Sequence, residues 1–195
     1  MKATDSRQTY AKIMNYYTVF TLIVFLGIML FMNFFKHFIG KDFHDGLNVV
    51  PILLMANIFL GVVFNLSFWY KVANKTRIGI WITGAGAVIT LGINMAFVPT
   101  YGYVACAWAT LACYVLMSVL SYILCQKYYG IPYKIGTLAC YFVLAIAFYF
   151  INNNLSIDSA TISYSIKALL MLVFIGVTCG NEYRLVKKEK ISSVN

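Results

Sequence analysis

Six apolar stretches, each close to the length that a helix needs to cross a bilayer, constrain this chain more than any other feature. An α-helix needs about 20 predominantly apolar residues to cross roughly 30 Å of hydrocarbon. The sequence therefore predicts an all-α polytopic membrane protein with six transmembrane helices. The predicted spans are residues 16–36, 48–70, 78–98, 103–125, 135–151 and 163–180.

The composition agrees with this class and excludes several others. Of the 195 residues, 62% are apolar and 11% are charged, and the mean hydropathy is +0.80. A soluble domain has about 25% charged residues with which to cover its surface, and disordered chains have low hydrophobicity. The five cysteines lie in or beside apolar stretches without C-x-x-C spacing. That pattern is typical of small packing residues rather than of a disulfide framework or a metal site.

The basic residues between the spans predict the orientation of the chain. Six spans place both termini on one side of the membrane, and twelve of the 15 Lys and Arg residues fall on that side. The other side has Lys36, Lys41 and Lys167, close to Asp42, Asp45 and Asp158. Because cytoplasmic loops carry an excess of positive charge, we expect both termini in the cytoplasm. This orientation explains the net charge of +9 without nucleic acid binding.

Aromatic residues mark the predicted ends of the spans. Trp69, Tyr70 and Trp81 flank the loop at 71–77. Trp and Tyr rings prefer the headgroup region of a bilayer, so we expect these side chains at the membrane–water interface. The turn at 99–102 is short enough to force the third and fourth spans into a tight antiparallel hairpin.

Side chains that carry chemistry are scarce in the spans. No Asp or Glu lies inside any predicted span, and the two histidines, His37 and His44, both fall in the first outer loop. These absences count against carboxylate-coupled proton carriers, intramembrane aspartyl proteases and metal-dependent lipid-phosphate enzymes. At His44, with Asp42 and Asp45 beside it, a solvated loop is favoured over a metal site. The sequence predicts a protein that is not an enzyme and uses no cofactor.

Neutral polar residues recur at helical spacing in the second and third spans, so that each set shares one helix face. One interpretation is helix packing through interhelical hydrogen bonds. The other is that these side chains line a polar cavity, because amides and hydroxyls can both donate to and accept from a hydroxyl-rich ligand such as a sugar. The candidate cavity-lining residues are Asn57, Asn65, Thr83, Thr90 and Asn94, with Gly61 and Ala87 between them.

Two further patterns accompany these stripes. Ala105, Ala109 and Cys113 form a row of small residues in the fourth span, which predicts close approach of a neighbouring helix. Basic residues gather in the second loop, at the inner mouth of the supposed cavity. They either attract a phosphate group of the ligand or simply follow from the cytoplasmic excess of positive charge. This candidate basic cluster is Lys71, Lys75 and Arg77.

The segment from Val49 to Tyr114 carries the most characteristic residues of the chain. It contains NLSFWYKVANKT at the end of the second span, NMAFVPTYGY after the third and ACAWATLACY in the fourth. In these stretches the chain resembles the C-terminal part of bacterial polysaccharide flippases, members of the multidrug/oligosaccharidyl-lipid/polysaccharide exporter superfamily. The similarity is weak after about residue 135.

This resemblance implies a division of the chain. Such flippases have about fourteen helices, in two six-helix lobes plus an extra pair, and work by alternating access. Residues 1–15 would be a cytoplasmic lead-in, and 16–125 would be four helices that complete the second lobe. Residues 126–180 would be two additional helices, followed by a basic cytoplasmic tail at 181–195.

The resemblance also implies a function. The family moves undecaprenyl-diphosphate-linked oligosaccharide across the bacterial inner membrane for cell-surface polysaccharide such as the O-antigen of lipopolysaccharide. This chain would be a C-terminal fragment, with membrane lipid, the lipid-linked oligosaccharide and a missing N-terminal lobe as partners. No cation lies deep in these spans, so no diphosphate-binding residue carries over. The alternative is a stand-alone six-helix channel or carrier that acts as a homo-oligomer.

Overall fold

The computed structural model describes residues 3–154 and 160–192, and every regular element in these ranges is a helix. Six stretches are long and apolar enough to cross a membrane, so the predicted all-α class with six membrane helices is confirmed. The side on which the termini lie stays a prediction, and two residues of the charge argument, Lys2 and Asp158, lie outside the described residues. The stretches are Arg7–Leu30, Phe43–Val72, Thr76–Tyr101, Tyr103–Tyr128, Ile135–Asn152 and Tyr164–Leu185.

The helices follow one another with short connections. A 3₁₀ helix at Lys41–Val49 precedes the second membrane stretch. The α-helices are α1 (Ala3–Leu30), α2 (Met32–Lys36), α3 (Val50–Leu66), α4 (Phe68–Val72), α5 (Thr76–Tyr101), α6 (Tyr103–Tyr128), α7 (Ile135–Asn154) and α8 (Ala160–Ser192).

The first and last membrane stretches differ most from the predicted spans. Helix α1 already begins at Ala3, and its apolar stretch ends at Leu30 rather than at residue 36. The backbone leaves the regular helix at Phe31 (φ −102°, ψ 22°) before the short α2. At the other end, α8 continues to Ser192, and its apolar stretch extends from the predicted residue 180 to Leu185. The hydropathy of the sequence predicted these helix ends wrongly. A helix ends where its backbone hydrogen bonds stop, and the polarity of the side chains does not determine that position.

The second membrane stretch is a broken helix. Pro51 lies in the first turn of α3, where the missing N–H has no intrahelical partner to lose. The break comes at Ser67, whose Oγ donates a hydrogen bond of 2.6 Å to the carbonyl of Phe64. Helix α4 then carries Trp69 into the interior, where its side chain has no exposed surface.

A single residue joins α5 to α6. Gly102 has φ 57° and ψ −140°, and its N–H donates to the carbonyl of Val98, which caps α5. The predicted turn at 99–102 is therefore tighter than expected, because α5 continues through Pro99 to Tyr101. The two helices pack along each other.

The packing of the chain divides it into two compact units. The first unit comprises the chain up to Thr18 together with Gly40–Lys134, and the second comprises Val19–Ile39 and the chain from Ile135 onward. The second half of α1 is thus grouped with α7 and α8. The division after residue 125 that the family resemblance implies stays a prediction.

Helix α6 is the centre of the first unit, because it packs along both α3 and α5. Its predicted row of small residues is buried: Ala105 is 5%, Ala109 0% and Cys113 6% exposed. Around this row, side chains from all three helices form one apolar cluster. The cluster contains Val63, Ile82, Cys113 and Met117.

In the second unit, one face of α1 is fully buried, with Leu22, Leu26 and Leu30 each at 0% exposure. Aromatic rings connect the helices of this unit. The Phe25 ring lies 6.3 Å from that of Tyr149, and the Phe148 ring lies 6.2 Å from that of Phe174, centroid to centroid. Edge-to-face and tilted pairs at these distances are favourable geometries.

The outward face of α5 is apolar. Trp81 and Met95 are each 80% exposed, and Val88 and Leu91 on the same side are also exposed. In water this would be a large uncovered apolar surface. In a bilayer these side chains are in contact with hydrocarbon, which agrees with the membrane class.

Candidate functional site

The two candidate asparagines of α3 bond to their own helix. Asn57 Nδ2 donates to the carbonyl of Leu53 at 2.9 Å, and Asn65 Nδ2 donates to the carbonyl of Gly61 at 3.0 Å. Asn57 is exposed, whereas Asn65 is half-buried. Both amides thus place their donor on a backbone acceptor four residues earlier and keep the Oδ1 acceptor for another partner.

The candidate threonines of α5 behave in the same way. Thr83 Oγ1 donates to the carbonyl of Gly79 at 2.9 Å, and Thr90 Oγ1 donates to the carbonyl of Gly86 at 3.0 Å. This intrahelical bond is a common arrangement for threonine within helices. It uses the hydroxyl proton and leaves the oxygen lone pairs as acceptors.

Asn94 differs from the other four candidates. It is half-buried, and its Oδ1 is buried without a hydrogen-bond partner among the described residues. A buried acceptor without a donor costs about 1–3 kcal/mol. Asn94 is therefore the candidate whose present surroundings least explain its polarity.

Hydrogen bonds between helices in the first unit come from α6 rather than from the predicted stripes. Cys113 Sγ donates to the carbonyl of Gly86 at 3.3 Å, and Ser118 Oγ lies 3.2 Å from the carbonyl of Phe59. Within the described structure, none of the five candidate side chains bonds to another helix. The interpretation of the stripes as interhelical hydrogen-bonding residues therefore has no support in the geometry, while their role as a cavity lining stays a prediction.

Glycines on both stripes mark close contacts. The phenol of Tyr17 lies directly against Gly61, where any larger residue would overlap its ring. A Cβ at Gly86 would lie 2.6 Å from Met117 Sδ and 2.9 Å from Cys113 Sγ. The stripe on α3 is therefore covered by an aromatic ring at its middle, and α6 lies against α5 at Gly86.

The three cations of the candidate basic cluster are exposed, and two of them contact different aromatic rings. Lys75 Nζ lies 4.3 Å from the centroid of the Tyr128 ring, whereas Lys71 Nζ lies 5.8 Å from that of Phe68. Arg77 lies in the first turn of α5. Cations over aromatic faces are stabilised by the ring quadrupole, so these contacts hold two of the charges at the rim of the unit.

A buried cluster around Trp69 was not expected from the sequence. Trp69 packs with Cys125 and Ile131 and has no exposed surface, and its indole Nε1 has no hydrogen-bond partner in the part of the chain that the structure describes. The prediction that Trp69 lies at the lipid headgroups is wrong, because α4 turns the ring inward, whereas Trp81 is exposed. The position of Trp69 in the sequence shows that it is near the end of a span. It does not show whether the ring faces the lipid or the protein interior.

The N-terminal part of α1 takes part in the same cluster. The Tyr10 ring stacks on Phe68 at 5.8 Å between centroids, and the Arg7 guanidinium carbon lies 4.6 Å from the centroid of the Tyr129 ring. The segment predicted as a cytoplasmic lead-in therefore contributes to the core of the first unit. Guanidinium–aromatic stacking of this kind is typical of Arg.

A side chain of α6 holds the loop between α6 and α7 in place through a hydrogen bond to the loop backbone. Gln126 Nε2 donates to the carbonyl of Ile131 at 2.7 Å. Burial raises the pKa of the Tyr133 phenol, and the neighbouring Cys125 thiol raises it further. Tyr133 therefore stays protonated across the physiological pH range and remains a hydrogen-bond donor.

Two acidic residues lie inside membrane stretches, contrary to the sequence analysis. Asp45 is exposed near the start of Phe43–Val72, whereas Glu182 is buried. Glu182 falls within Tyr164–Leu185 and is 8% exposed. The predicted span ended at residue 180, before the acid, because hydropathy falls at Asn181 and Glu182 although the helix continues. The argument against carboxylate-coupled proton carriers assumed that no Asp or Glu lies inside a span, and that assumption no longer holds.

The described residues contain no group of three His, Cys, Asp or Glu that could hold a metal ion. All five cysteines are free thiols. An open apolar cavity of about 460 Å³ lies in the second unit and is lined by Gly27, Phe31, Phe34, Phe35 and Met171. None of the candidate polar residues lines this cavity.

No protein-family model, curated protein or solved structure matches this chain. The resemblance to polysaccharide flippases therefore rests on the stretches between Val49 and Tyr114, and the function that it implies is a proposal.

Proposed function

We propose that this chain forms part of the wall of a translocation path for lipid-linked oligosaccharides in a bacterial inner membrane. The resemblance of residues 49–114 to polysaccharide flippases supports the substrate class. The chain has no catalytic step in this proposal, and it needs no cofactor. Its ligands are the oligosaccharide, the diphosphate and the lipid that carries them.

One observation carries the proposal: among the described residues, the five candidate polar side chains make no hydrogen bond to another helix. Four of them donate to carbonyls of their own helix, which satisfies their donors without engaging a neighbour. Their acceptor oxygens are available to the hydroxyl groups of a sugar. Neutral acceptors of this kind bind weakly enough to release a ligand, because a net hydrogen bond contributes only about 0.5–1.5 kcal/mol.

The mechanism needs a second body. In alternating access, two halves rock around a central site and expose it to each side of the membrane in turn. A missing N-terminal lobe would supply the second half in a flippase. Expressed alone, the chain should therefore not flip a lipid-linked sugar in vesicles. Flipping by the isolated chain would favour the homo-oligomeric carrier instead.

Thiol accessibility tests whether the stripes face a hydrated path. In a full-length flippase that contains this segment, the five native cysteines are replaced by alanine, and single cysteines are placed at Asn57, Asn65 and Asn94. We expect these positions to react with membrane-impermeant thiol reagents. Val88, which is 70% exposed on the apolar face of α5, is the matched control and should stay unreactive. If all three test positions are as unreactive as Val88, the proposal is wrong.

A further inference from the structure

Among the side chains that the structure describes, Glu182 is the one charged group that is buried. It lies on α8, three residues before the end of the apolar stretch Tyr164–Leu185. Ionisable residues inside membrane stretches are rare because an ionised side chain is costly to bury there. Glu182 therefore needs either a partner or a means of losing its charge.

The partner is a tyrosine of α7. Tyr141 Oη donates to Glu182 Oε1 at 3.0 Å, and Asn181 Nδ2 donates to Tyr141 Oη at 3.0 Å. Because a phenol has a single proton, the bond from Asn181 orients the hydroxyl so that its proton faces the carboxylate. Tyr141 is itself 2% exposed. The three side chains form a directed chain of hydrogen bonds from amide to phenol to carboxylate.

No cation completes this arrangement. Within the described part of the chain, no Lys, Arg or His pairs with Glu182, and the nearby basic residues of α8, Arg184 and Lys187, are exposed. The groups of α7 that face the site are Tyr141 and, beside it, the exposed thiol of Cys140. A single neutral donor does not offset the desolvation of an ionised carboxylate when no cation is present.

We propose that Glu182 is a proton-binding site, in which Tyr141 holds the ionised carboxylate and a proton from water neutralises it. The pair lies where α7 begins and the apolar stretch of α8 ends, so the proton exchanges with the aqueous phase at that end. On release, the proton returns to the same water and the carboxylate keeps the bond from Tyr141. The site goes beyond the proposed function, since it does not depend on what the protein transports.

A hydrophobic carbodiimide tests the site, because such reagents modify protonated carboxylic acids in apolar surroundings. The full chain is purified in detergent, treated with dicyclohexylcarbodiimide over a range of pH, and digested for mass spectrometry. We expect labelling on Glu182 that decreases as the pH rises, because the reagent modifies only the protonated acid. This titration uses the unmodified protein, so it does not depend on the folding of any variant.

Variants identify the residue. Glu182→Gln should abolish the labelling, whereas Glu189→Gln, which removes the other glutamate of the chain on the same helix, should leave it unchanged. Tyr141→Phe removes the donor to the ionised carboxylate, so the labelling at a fixed pH should increase. Tyr149→Phe on the same helix is the matched control and should not change it.

Three results would overturn the proposal. The first is labelling that does not change with pH, and the second is labelling of wild-type protein that survives in Glu182→Gln. The third is protection of Glu182 by sodium but not by choline at constant pH, which would make the site a metal-cation site. Equal labelling of Tyr141→Phe and wild-type protein at the same pH would remove the role of the phenol.

Discussion

Asn94 has a buried amide oxygen without a donor, which makes it the most informative single residue of the candidate cavity. We expect Asn94→Leu to lower export of the polysaccharide while the protein stays abundant and inserted. Its thermal stability should be unchanged or higher by about 1 kcal/mol, because an unsatisfied buried acceptor is removed.

Thr110→Val is the control for this change, since it removes only an intrahelical bond, to the carbonyl of Cys106, at a residue outside the candidate stripes. Abundance, thermal unfolding and export are measured on both variants. A parallel fall of stability and export in Asn94→Leu would show that the residue serves packing rather than a ligand.

Gly86 of α5 lies directly against Met117 and Cys113 of α6. In Gly86→Ala, the new Cβ would overlap Met117 Sδ, so we expect a loss of about 1–3 kcal/mol in the free energy of unfolding. Gly84→Ala lies on the same helix, with nothing within 4 Å of the added carbon, and should lose nothing.

Thermal unfolding of the purified protein in detergent measures both glycine variants. Adding Met117→Ala to Gly86→Ala should restore part of the loss, because it removes the overlapping side chain. Equal unfolding temperatures for Gly86→Ala and Gly84→Ala would mean that α5 and α6 do not approach as closely as described.

At the scale of elements, the α5–α6 hairpin depends on one backbone conformation. Gly102 has φ 57° and ψ −140°, which residues with a Cβ rarely adopt. Gly102→Ala should therefore destabilise the protein by about 1–3 kcal/mol through backbone strain. Gly92→Ala, at a helical position with open space around it, is the control. If both variants unfold at the same temperature, the connection between the helices is not strained by a side chain.

Helix α6 shows how far spacing alone predicts packing. Its row of small residues was predicted to meet another helix, and Ala109 and Cys113 are indeed buried. The stripes on α3 and α5 had the same regular spacing, yet four of their five polar side chains bond within their own helices. Spacing identifies a shared face, but it does not say what lies opposite that face, because the opposite surface comes from residues far away in the chain.

At the scale of the whole molecule, the orientation in the membrane rests on the uneven distribution of basic residues. Single cysteines at Lys75, Lys127 and Lys188 should react with impermeant reagents from the cytoplasmic side, and those at Lys41, Tyr101 and Asn153 from the outside. Cysteine-free protein is the control. Reaction of positions 75 and 101 from one side would contradict the topology, because α5 alone separates them.

The sequence by itself determined the membrane class, the number of helices and the approximate place of each span. The free energy of transferring a side chain into hydrocarbon depends mainly on that side chain itself. A window of sequence is therefore enough to locate a membrane span. The ends of α1 and α8 were not determined in this way, since backbone hydrogen bonds continue past the apolar residues.

Only the tertiary structure decided which side chains face inward. The sequence placed Trp69 at the membrane–water interface and Glu182 in the cytoplasmic tail, but contacts with Cys125 and Tyr141 bury them. Each partner lies on another helix, more than forty residues away along the chain: Cys125 from Trp69, and Tyr141 from Glu182. Burial in a helical membrane protein depends on such distant contacts, because lipid accepts any apolar face and leaves the choice of neighbour to side-chain packing.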